Sequence, residues 1–260
     1  MVNFQMAETC GMDDLLKIVE LLRSPGGCPW DMAQTHQSIR ANMLEEAYEA
    51  ADAIDQGDMD NLKEELGDVL LQVVFHASMA RQAGCFTFED VVDGICKKLV
   101  YRHPHVFGEV EARDGAEALS VWDAQKRVEK GQSTAGDALD SVARALPALT
   151  RAASLQRKAA KAGFDWREIS PALDKLSEEM EELRAAVREN TNVEEELGDL
   201  LFAAVKVGRF AGVDGETALQ NACEKFIRRF RAVERLAEGP LDRLDVPTLE
   251  ALWRQAKKEA

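Results

Sequence analysis

Two short acidic motifs carry the residues best suited to chemistry in this sequence of 260 residues. The stretch EELGD occurs at residues 64–68 and again at residues 195–199, and each copy leads directly into an apolar run. A pair of glutamates with the spacing E-x-x-E precedes each copy: Glu46 with Glu49, and Glu179 with Glu182. Residues three apart lie on one face of an α-helix, so the carboxylates of each pair project together.

These acidic pairs converge if the two helices that carry them pack side by side. Four carboxylates at close range repel one another strongly, so either a cation lies between them or some of them are protonated. Hard divalent cations take oxygen ligands, and Mg²⁺ typically bridges protein carboxylates to substrate phosphates. The spacing favours a Mg²⁺ site, with Mn²⁺ as a substitute, at Glu179, Glu182, Glu196 and Asp199.

Basic and aromatic residues follow the second acidic set, again at helical spacing. Lys225 and Arg229 are four apart and share a helix face, which would suit a clamp on phosphate oxygens. Trp253 and Lys257 are also one turn apart and offer an aromatic ring and another cation. Together with the carboxylates, these residues indicate a site for a metal ion and a polyphosphate, such as a nucleotide.

The same series occurs in the same order in the first half of the chain. Its members there are Glu46, Glu49, Glu65, Asp68, Lys98, Arg102, Trp122 and Lys126. All four tryptophans of the chain belong to the two series, which begin at Trp30 and Trp166. Agreement at so many positions indicates an internal duplication of one helical module.

Each of these elements has a simpler interpretation when it is taken alone. An acidic pair on a charged helix is usually a solvated face, and a basic run such as KFIRRFRAVER is usually an exposed stripe. Tryptophans are usually core residues, and His103 and His105 beside a proline are typical of a structured loop. The shared order of the elements in both halves favours the functional interpretation.

Other metal and nucleotide sites lack their signatures. A di-iron carboxylate bundle needs Glu-x-x-His on two helices. No histidine of the chain has a glutamate three residues before it; the four are His36, His76, His103 and His105. The calcium-binding EF-hand loop and the phosphate-binding P-loop are also absent from the sequence.

Composition limits the partners and the location. The formal net charge of −15 argues against binding of long nucleic acid, whose phosphates attract basic surfaces. No apolar run reaches the roughly 20 residues that span a bilayer, and the first residues lack the features of a signal peptide. Five cysteines without a C-x-x-C pair predict reduced thiols. We therefore expect a cytoplasmic protein with no membrane partner.

Periodicity predicts an all-α fold. Apolar residues recur at helical spacing almost throughout, and no alternating run predicts a strand. The small, polar stretch KGQSTAGD predicts a linker. The predicted organisation is an N-terminal module over residues 1–130, a linker over 131–137 and a C-terminal module over 138–260. Within the C-terminal module, single helices are predicted over residues 139–162, 171–189 and 193–210.

Longer motifs identify a family. The stretches GCPWDMAQTH, LEEAYE, RHPHVF, RAASLQRKAAKAGFDW and EKFIRRFRAVE, with the acidic pairs, resemble the all-α nucleoside triphosphate pyrophosphohydrolases. The tandem arrangement is similar to that of the MazG family. The resemblance implies Mg²⁺-dependent hydrolysis of nucleoside triphosphates to the monophosphate and pyrophosphate, with broad base specificity. It also implies a homodimer and a role in cleaning the nucleotide pool.

The resemblance also assigns roles to residues of the C-terminal module, which it implies is the catalytic one. The four acidic residues named above would be the metal ligands, Lys225 and Arg229 the phosphate contacts, and Trp253 the contact to the nucleoside. Lys175 lies in the matching nucleotide-contacting segment, and Glu178 or Glu179 would orient or deprotonate the attacking water. Asn192 departs from the family, because a lysine is expected at its position in a shortened spacer.

Two questions stay open at the level of sequence. The N-terminal copy retains every charged position, so it is active, regulatory or a scaffold, and we expect a scaffold or a weak site. The whole protein could instead be a non-catalytic sensor or adaptor that binds a metal and a nucleotide, or a purely structural bundle. Release of pyrophosphate from ATP with Mg²⁺ distinguishes the enzyme from both.

Overall fold

The structure, a computed structural model, describes residue 4 and residues 8–259. Over those residues the chain forms α-helices and one short 3-10 turn, with no strand, which confirms the all-α prediction. The chain divides into two compact units, one up to Lys126 and one from Arg127 onward. The division falls within the last turn of the helix Gly115–Glu129.

The first unit is built on an acidic helical hairpin. Its helices are α1 (Met12–Leu22), α2 (Pro29–Ala33), α3 (Arg40–Gln56), α4 (Met59–Gln82), α5 (Phe88–Arg102), α6 (Pro104–Phe107) and α7 (Gly115–Glu129). Gly57 ends α3 in the left-handed conformation that glycine tolerates best, and the Asp58 carboxylate caps α4 by accepting from the backbone N–H groups of Asp60 and Asn61. This two-residue connection makes α3 and α4 direct neighbours, and α1 packs on α4.

The second unit repeats that hairpin. Its helices are α8 (Ala135–Asp140), α9 (Ala148–Lys161), α10 (Ser170–Glu189), α11 (Val193–Phe210), α12 (Gly215–Leu236) and α13 (Val246–Glu259). Asn190 ends α10 in the left-handed conformation, with φ of 52°, and α11 packs along α10. Helix α9 lies on α11 and buries Ala152, Ala153 and Val205. Helices α12 and α13 pack on each other around Ala232, Val233 and Ala256, and α12 also contacts α9 and α11.

The prediction of one helix over residues 139–162 is wrong. Helix α8 ends at Asp140, and α9 begins only at Ala148, directly after Pro147. A proline disfavours helical geometry in the residue before it and cannot donate a backbone hydrogen bond, so it suits the start of a helix. Helix α8 itself begins inside the segment expected as a linker, because Thr134 and Asp137 form a capping box there.

Two further observations concern the expected location. No helix in the described part of the chain has both the length and the hydropathy needed to cross a membrane. All five cysteines lie within the described residues, and all are free thiols. The free thiols agree with the prediction made from the absence of a C-x-x-C pair.

Candidate active site

The hairpin of α10 and α11 brings three predicted ligands together. Carboxylate oxygens of Glu179, Glu196 and Asp199 all lie within 4.8 Å of one another. Glu179 is only 6% exposed, although its side chain ends in a carboxyl group. Glu182 lies one turn further along α10 and hydrogen-bonds to Glu179. Desolvation raises the pKa of Glu182, and the bond to Glu179 raises it further, whereas the charge of Lys175 opposes this rise. We refer to these four carboxylates as the second cluster.

Two side chains of the same hairpin already contact the second cluster. The Nζ of Lys175 lies 2.7 Å from Oε1 of Glu178 and 2.8 Å from Oε1 of Glu179, and these bonds raise the pKa of Lys175. At the other helix, Nδ2 of Asn192 donates to Oε1 of Glu196 over 2.6 Å. The residue that departs from the family pattern therefore holds one of the candidate ligands.

A cavity of about 410 Å³ opens beside the second cluster. Its walls come from the loop before α10 and from the facing sides of α10 and α11. They consist of Gly163, Phe164, Asp165, Trp166, Ala172, Lys175, Glu179, Asp199, Phe202, Ala203 and Lys206. Glu179 and Asp199 belong both to this wall and to the cluster. A ligand in the cavity would therefore lie directly against the carboxylates, with aromatic rings on its other sides.

A half-buried ion-pair network lies beside the aromatic wall of the cavity. Asp165 lies 2.7 Å from Nζ of Lys206 and 2.5 Å from an Nη of Arg209, and all three side chains are less than a fifth exposed. Burial alone would raise the pKa of Asp165, but the bonds from the two cations outweigh it and lower the pKa. The Lys206 ammonium also lies 5.3 Å from the centre of the Trp166 ring. Sequence reasoning missed this network, whose only signal was the Asp in the GFDW motif.

The residues predicted to contact the phosphates and the nucleoside from the end of the chain lie on other helices. Lys225 and Arg229 are on α12, Trp253 and Lys257 are on α13, and none of the four lines the cavity. The Trp253 ring packs against the α12 core and lies 5.4 Å from the ring of Phe226. The Lys257 ammonium is 6.0 Å from the Trp253 ring centre. Within one chain, the structure therefore does not bring these four side chains to the cavity.

The first unit contains a matching acidic group. Carboxylate oxygens of Glu46, Glu49 and Glu65 lie within 4.8 Å of one another. Burial and the nearby charges of Asp68 and Glu49 raise the pKa of Glu46, while a hydrogen bond from Gln72 opposes the rise. Desolvation and neighbouring carboxylates also raise the pKa of Glu65. We refer to Glu46, Glu49, Glu65 and Asp68 as the first cluster.

Two of the predicted basic residues of the first unit lie over a tryptophan ring. The Arg102 guanidinium, on a residue only 6% exposed, lies 5.0 Å from the centre of the Trp122 ring. The Lys126 ammonium lies 4.7 Å from the same ring, whereas Lys98 is exposed. Contacts of this kind stabilise a cation over an aromatic face. The structure thus gives Trp122 a packing role.

The two acidic hairpins also match one known family. The MazG nucleotide pyrophosphohydrolase domain matches the chain twice, over residues 34–107 and 168–233. A nucleoside triphosphate pyrophosphohydrolase of Escherichia coli (strain K12) is 46% identical over 256 residues, which cover 95% of this chain and 97% of that protein. The nucleoside triphosphate pyrophosphohydrolase/pyrophosphatase MazG of Thermotoga maritima is 43% identical over 248 residues, or 94% of this chain and 95% of that one.

A third relative shows the same tandem sequence within a longer protein. The uncharacterized protein YabN of Bacillus subtilis is 47% identical over 247 residues, which cover 93% of this chain and 50% of YabN. Two domain matches that each contain one cluster, with relatives that cover almost the whole chain, show that this protein belongs to the MazG nucleotide pyrophosphohydrolase family, as its motifs predicted.

Proposed function

We propose that the second unit hydrolyses nucleoside triphosphates to the monophosphate and pyrophosphate. The observation that carries the proposal is the sharing of Glu179 and Asp199 between the second cluster and the cavity. A group bound in the cavity lies beside oxygen ligands suited to a cation that also binds phosphates. The sequence relatives named for this activity support the same assignment.

The second cluster fits Mg²⁺, with Mn²⁺ as a substitute. Its donors are all carboxylate oxygens, and their separation of at most 4.8 Å among Glu179, Glu196 and Asp199 suits ligands of a single small cation or of a close pair. Bound Mg²⁺ would neutralise the triphosphate and lower the pKa of a coordinated water. The other tasks fall to side chains of the chain itself.

Different side chains around the cavity would bind the phosphates, activate the water and contact the base. Lys175 pairs with Glu179 in this structure. When a cation occupies the cluster, the Lys175 ammonium can instead donate to a phosphate oxygen. Glu178 or Glu179 would orient or deprotonate the attacking water. Phe164, Trp166 and Phe202 offer flat apolar surfaces to a base. Aromatic rings accept every base in this way, which favours broad base specificity.

We also propose that the protein works as a homodimer in the cytoplasm. Helix α12 exposes a run of apolar side chains, with Phe226 54% and Phe230 41% exposed and their rings 6.0 Å apart. An exposed patch of this kind is typical of an interface. Because Lys225 and Arg229 lie on this helix and do not line the cavity of their own chain, we propose that they reach substrate phosphates across the dimer.

A mixing experiment tests the shared site. Glu196→Gln removes a ligand candidate, and Arg229→Ala removes a phosphate contact. If the two act on one site from different chains, a mixture of the inactive variants regains pyrophosphate release that neither has alone. A mixture as inactive as its components, with dimers shown to exchange, would contradict a shared site.

The activity itself is tested by following pyrophosphate released from ATP in the presence of Mg²⁺. The variant Glu196→Gln is expected to lose more than about 100-fold in turnover, since even residues that only support a ligand cost 10–100-fold. Glu194→Gln is the matched control, because Glu194 also lies in the first turn of α11 but is exposed and outside the cluster. Tight nucleotide binding without pyrophosphate release would instead support a sensor.

A further inference from the structure

The cavity of the second unit has an acidic end and an aromatic end, and helix α11 contributes to both. Asp199 belongs to the second cluster, and Lys206 follows it by seven residues on the same helix. Seven residues are close to two helical turns, so the two positions share one face and lie about 10 Å apart along the axis. Both residues line the cavity. A nucleotide with its phosphates at Asp199 would therefore extend its base toward Lys206.

The Lys206 side chain is held at the wall of the cavity. It is only 14% exposed, and its Nζ lies 2.7 Å from Oδ1 of Asp165. The same ammonium lies 5.3 Å from the centre of the Trp166 ring, which also lines the cavity. An ammonium has three donor protons and no acceptor. Asp165 is its one carboxylate partner within the described residues, so the ammonium keeps protons for a ligand.

The other polar side chains at this end also offer donors rather than acceptors. Oδ1 of Asp165 accepts from Lys206 and, over 2.9 Å, from the backbone N–H of Trp166. Oδ2 of Asp165 accepts from Arg209. The indole N–H of Trp166 is a donor only. Because both oxygens of Asp165 are already engaged, a base edge at this end of the cavity meets mainly N–H groups.

The first unit lacks this donor. The position seven residues after its matching aspartate, Asp68, is Phe75. Phe75 is 6% exposed and belongs to the hydrophobic core of the first unit. The same place on the hairpin can therefore be closed by an apolar side chain, whereas the second unit puts a charged donor at its cavity wall.

Nucleic acid bases differ in what they present to such a donor. Guanine carries acceptors at N7 and O6 and thymine carries one at O4, whereas adenine and cytosine carry an amino donor at the equivalent place. Hypoxanthine and uracil carry a carbonyl oxygen there, like guanine and thymine. A carbonyl oxygen accepts a proton from an ammonium, whereas an amino group directs its own protons toward it. A lysine at the base therefore favours the carbonyl.

We propose that Lys206 gives the site a preference for nucleoside triphosphates whose base carries a carbonyl oxygen at position 6 of a purine or position 4 of a pyrimidine. The ammonium donates to that oxygen, and the aromatic side chains of the cavity contact the ring of any base. The preference acts within a broad base specificity. It rests on the proposed function of the second unit as a nucleotide site.

Two matched pairs of substrates test the preference, with pyrophosphate release in the presence of Mg²⁺ as the readout. ITP and ATP differ at position 6 of the purine, and UTP and CTP differ at position 4 of the pyrimidine. For the wild type we expect kcat/KM to be about tenfold higher for ITP than for ATP, and for UTP than for CTP, which is the scale of one hydrogen bond to a charged group. Lys206→Met removes the donor and should bring both ratios close to one.

Two further variants separate the role of the donor from a general effect on folding. Lys206→Arg keeps a charged donor on a long side chain and should retain the preference for ITP and UTP. Lys258→Met makes the same change as Lys206→Met at an exposed position of α13 and should keep both wild-type ratios. Circular dichroism checks that each variant keeps its helical signal.

Equal kcat/KM values within each pair for the wild type would overturn the proposal. A preference that survives in the folded Lys206→Met variant would assign the discrimination to another group. Equilibrium dialysis adds a readout without hydrolysis, in which the wild type should bind ITP more tightly than ATP and Lys206→Met should bind them equally. A wild type that shows this difference in binding but releases no pyrophosphate would contradict the proposed function and retain this inference.

Discussion

The Nζ of Lys175 lies 2.8 Å from Oε1 of Glu179, a side chain that is only 8% exposed. The chain therefore supplies a cation of its own to the most buried member of the second cluster. A metal ion that binds there must compete with this ammonium, whereas a triphosphate offers the ammonium new oxygen partners. If Mg²⁺ and a triphosphate bind here as proposed, the pair links metal binding to nucleotide binding at this site.

Replacing Lys175 by Met should separate the two binding events. Without the competing ammonium, Mn²⁺ should bind the second cluster about two- to fivefold more tightly in the absence of nucleotide, which is the scale of a partly exposed ion pair. The KM for ATP should rise, because a phosphate contact is lost. Calorimetric Mn²⁺ titration in a Glu65→Gln background and steady-state kinetics provide the two measurements. Lys258→Met, on the exposed end of α13, is the control and should change neither quantity.

Asn192 should act as a support for Glu196. Its amide donates to the Glu196 carboxylate over 2.6 Å, so Asn192→Ala frees a candidate ligand to rotate. We expect the Mg²⁺ concentration that gives half-maximal turnover to rise about 10-fold, as for other groups that orient metal ligands. Asn192→Asp places a like charge beside Glu196 and should be at least as harmful. Wild-type Mg²⁺ dependence in the Ala variant would show that the contact has no role.

The network around Asp165 should govern the stability of the second unit. Asp165→Asn leaves the Lys206 and Arg209 charges without their carboxylate, and we expect a loss of about 2–3 kcal/mol in the free energy of unfolding at pH 7. The folded pKa of Asp165 is lowered, so its contribution is present above the ordinary value of 3.8 and is lost as the pH falls through the lower folded value.

Denaturant unfolding at several pH values measures this effect. The difference in the free energy of unfolding between the wild type and Asp165→Asn should be largest near neutral pH and should decrease below pH 3.8. A gap that is independent of pH would show that the substitution acts through packing rather than charge. Asp174→Asn, on an exposed position of α10, serves as the control and should unfold like the wild type.

His76 should make the first unit less stable in mild acid. Nδ1 of His76 lies 2.7 Å from Nδ1 of His36, and burial followed by the charge of His36 lowers the pKa of His76 below 6.5. The neutral His76 ring is therefore favoured in the folded state. Its contribution to the free energy of unfolding is full above pH 6.5 and is lost as the pH falls through the lowered pKa of His76.

The measurement is the melting temperature between pH 8 and pH 5. His76→Gln should flatten the decline below pH 6.5, because the ionisable ring is gone. His103→Gln is the histidine-matched control, since that ring bonds the Leu99 carbonyl at the end of α5, and it should retain the wild-type decline. An unchanged decline in His76→Gln would assign the acid sensitivity to other groups.

Local spacing accounts for what the sequence predicted well. Helix α11 has the predicted bounds, Val193–Phe210, because its apolar period and its start after Asn192 are both local signals. The three-residue spacing placed Glu196 and Asp199 on one face, and the short link to α10 then brought Glu179 against them. Residue spacing predicts which side chains share a helix face, and a short connection predicts that two consecutive helices are neighbours.

Tertiary packing decides the features that the sequence did not reveal. The period of α12 shows that Lys225 and Arg229 share a face, but not which element that face meets, and the pair lies outside the cavity lining. The cavity itself depends on the small side chain of Ala203 and on the pairing of Asp165 with Lys206 across two elements. Such pairings leave no periodic signal in one sequence.

Repeat-matched variants of the full-length protein test whether the second unit holds the active site. Glu196→Gln and Glu65→Gln make the same change at the same position of the two hairpins, and both are assayed for pyrophosphate released from ATP with Mg²⁺. We expect Glu196→Gln to abolish release and Glu65→Gln to retain it. Loss of release in Glu65→Gln, with wild-type release in Glu196→Gln, would instead place the active site in the first unit.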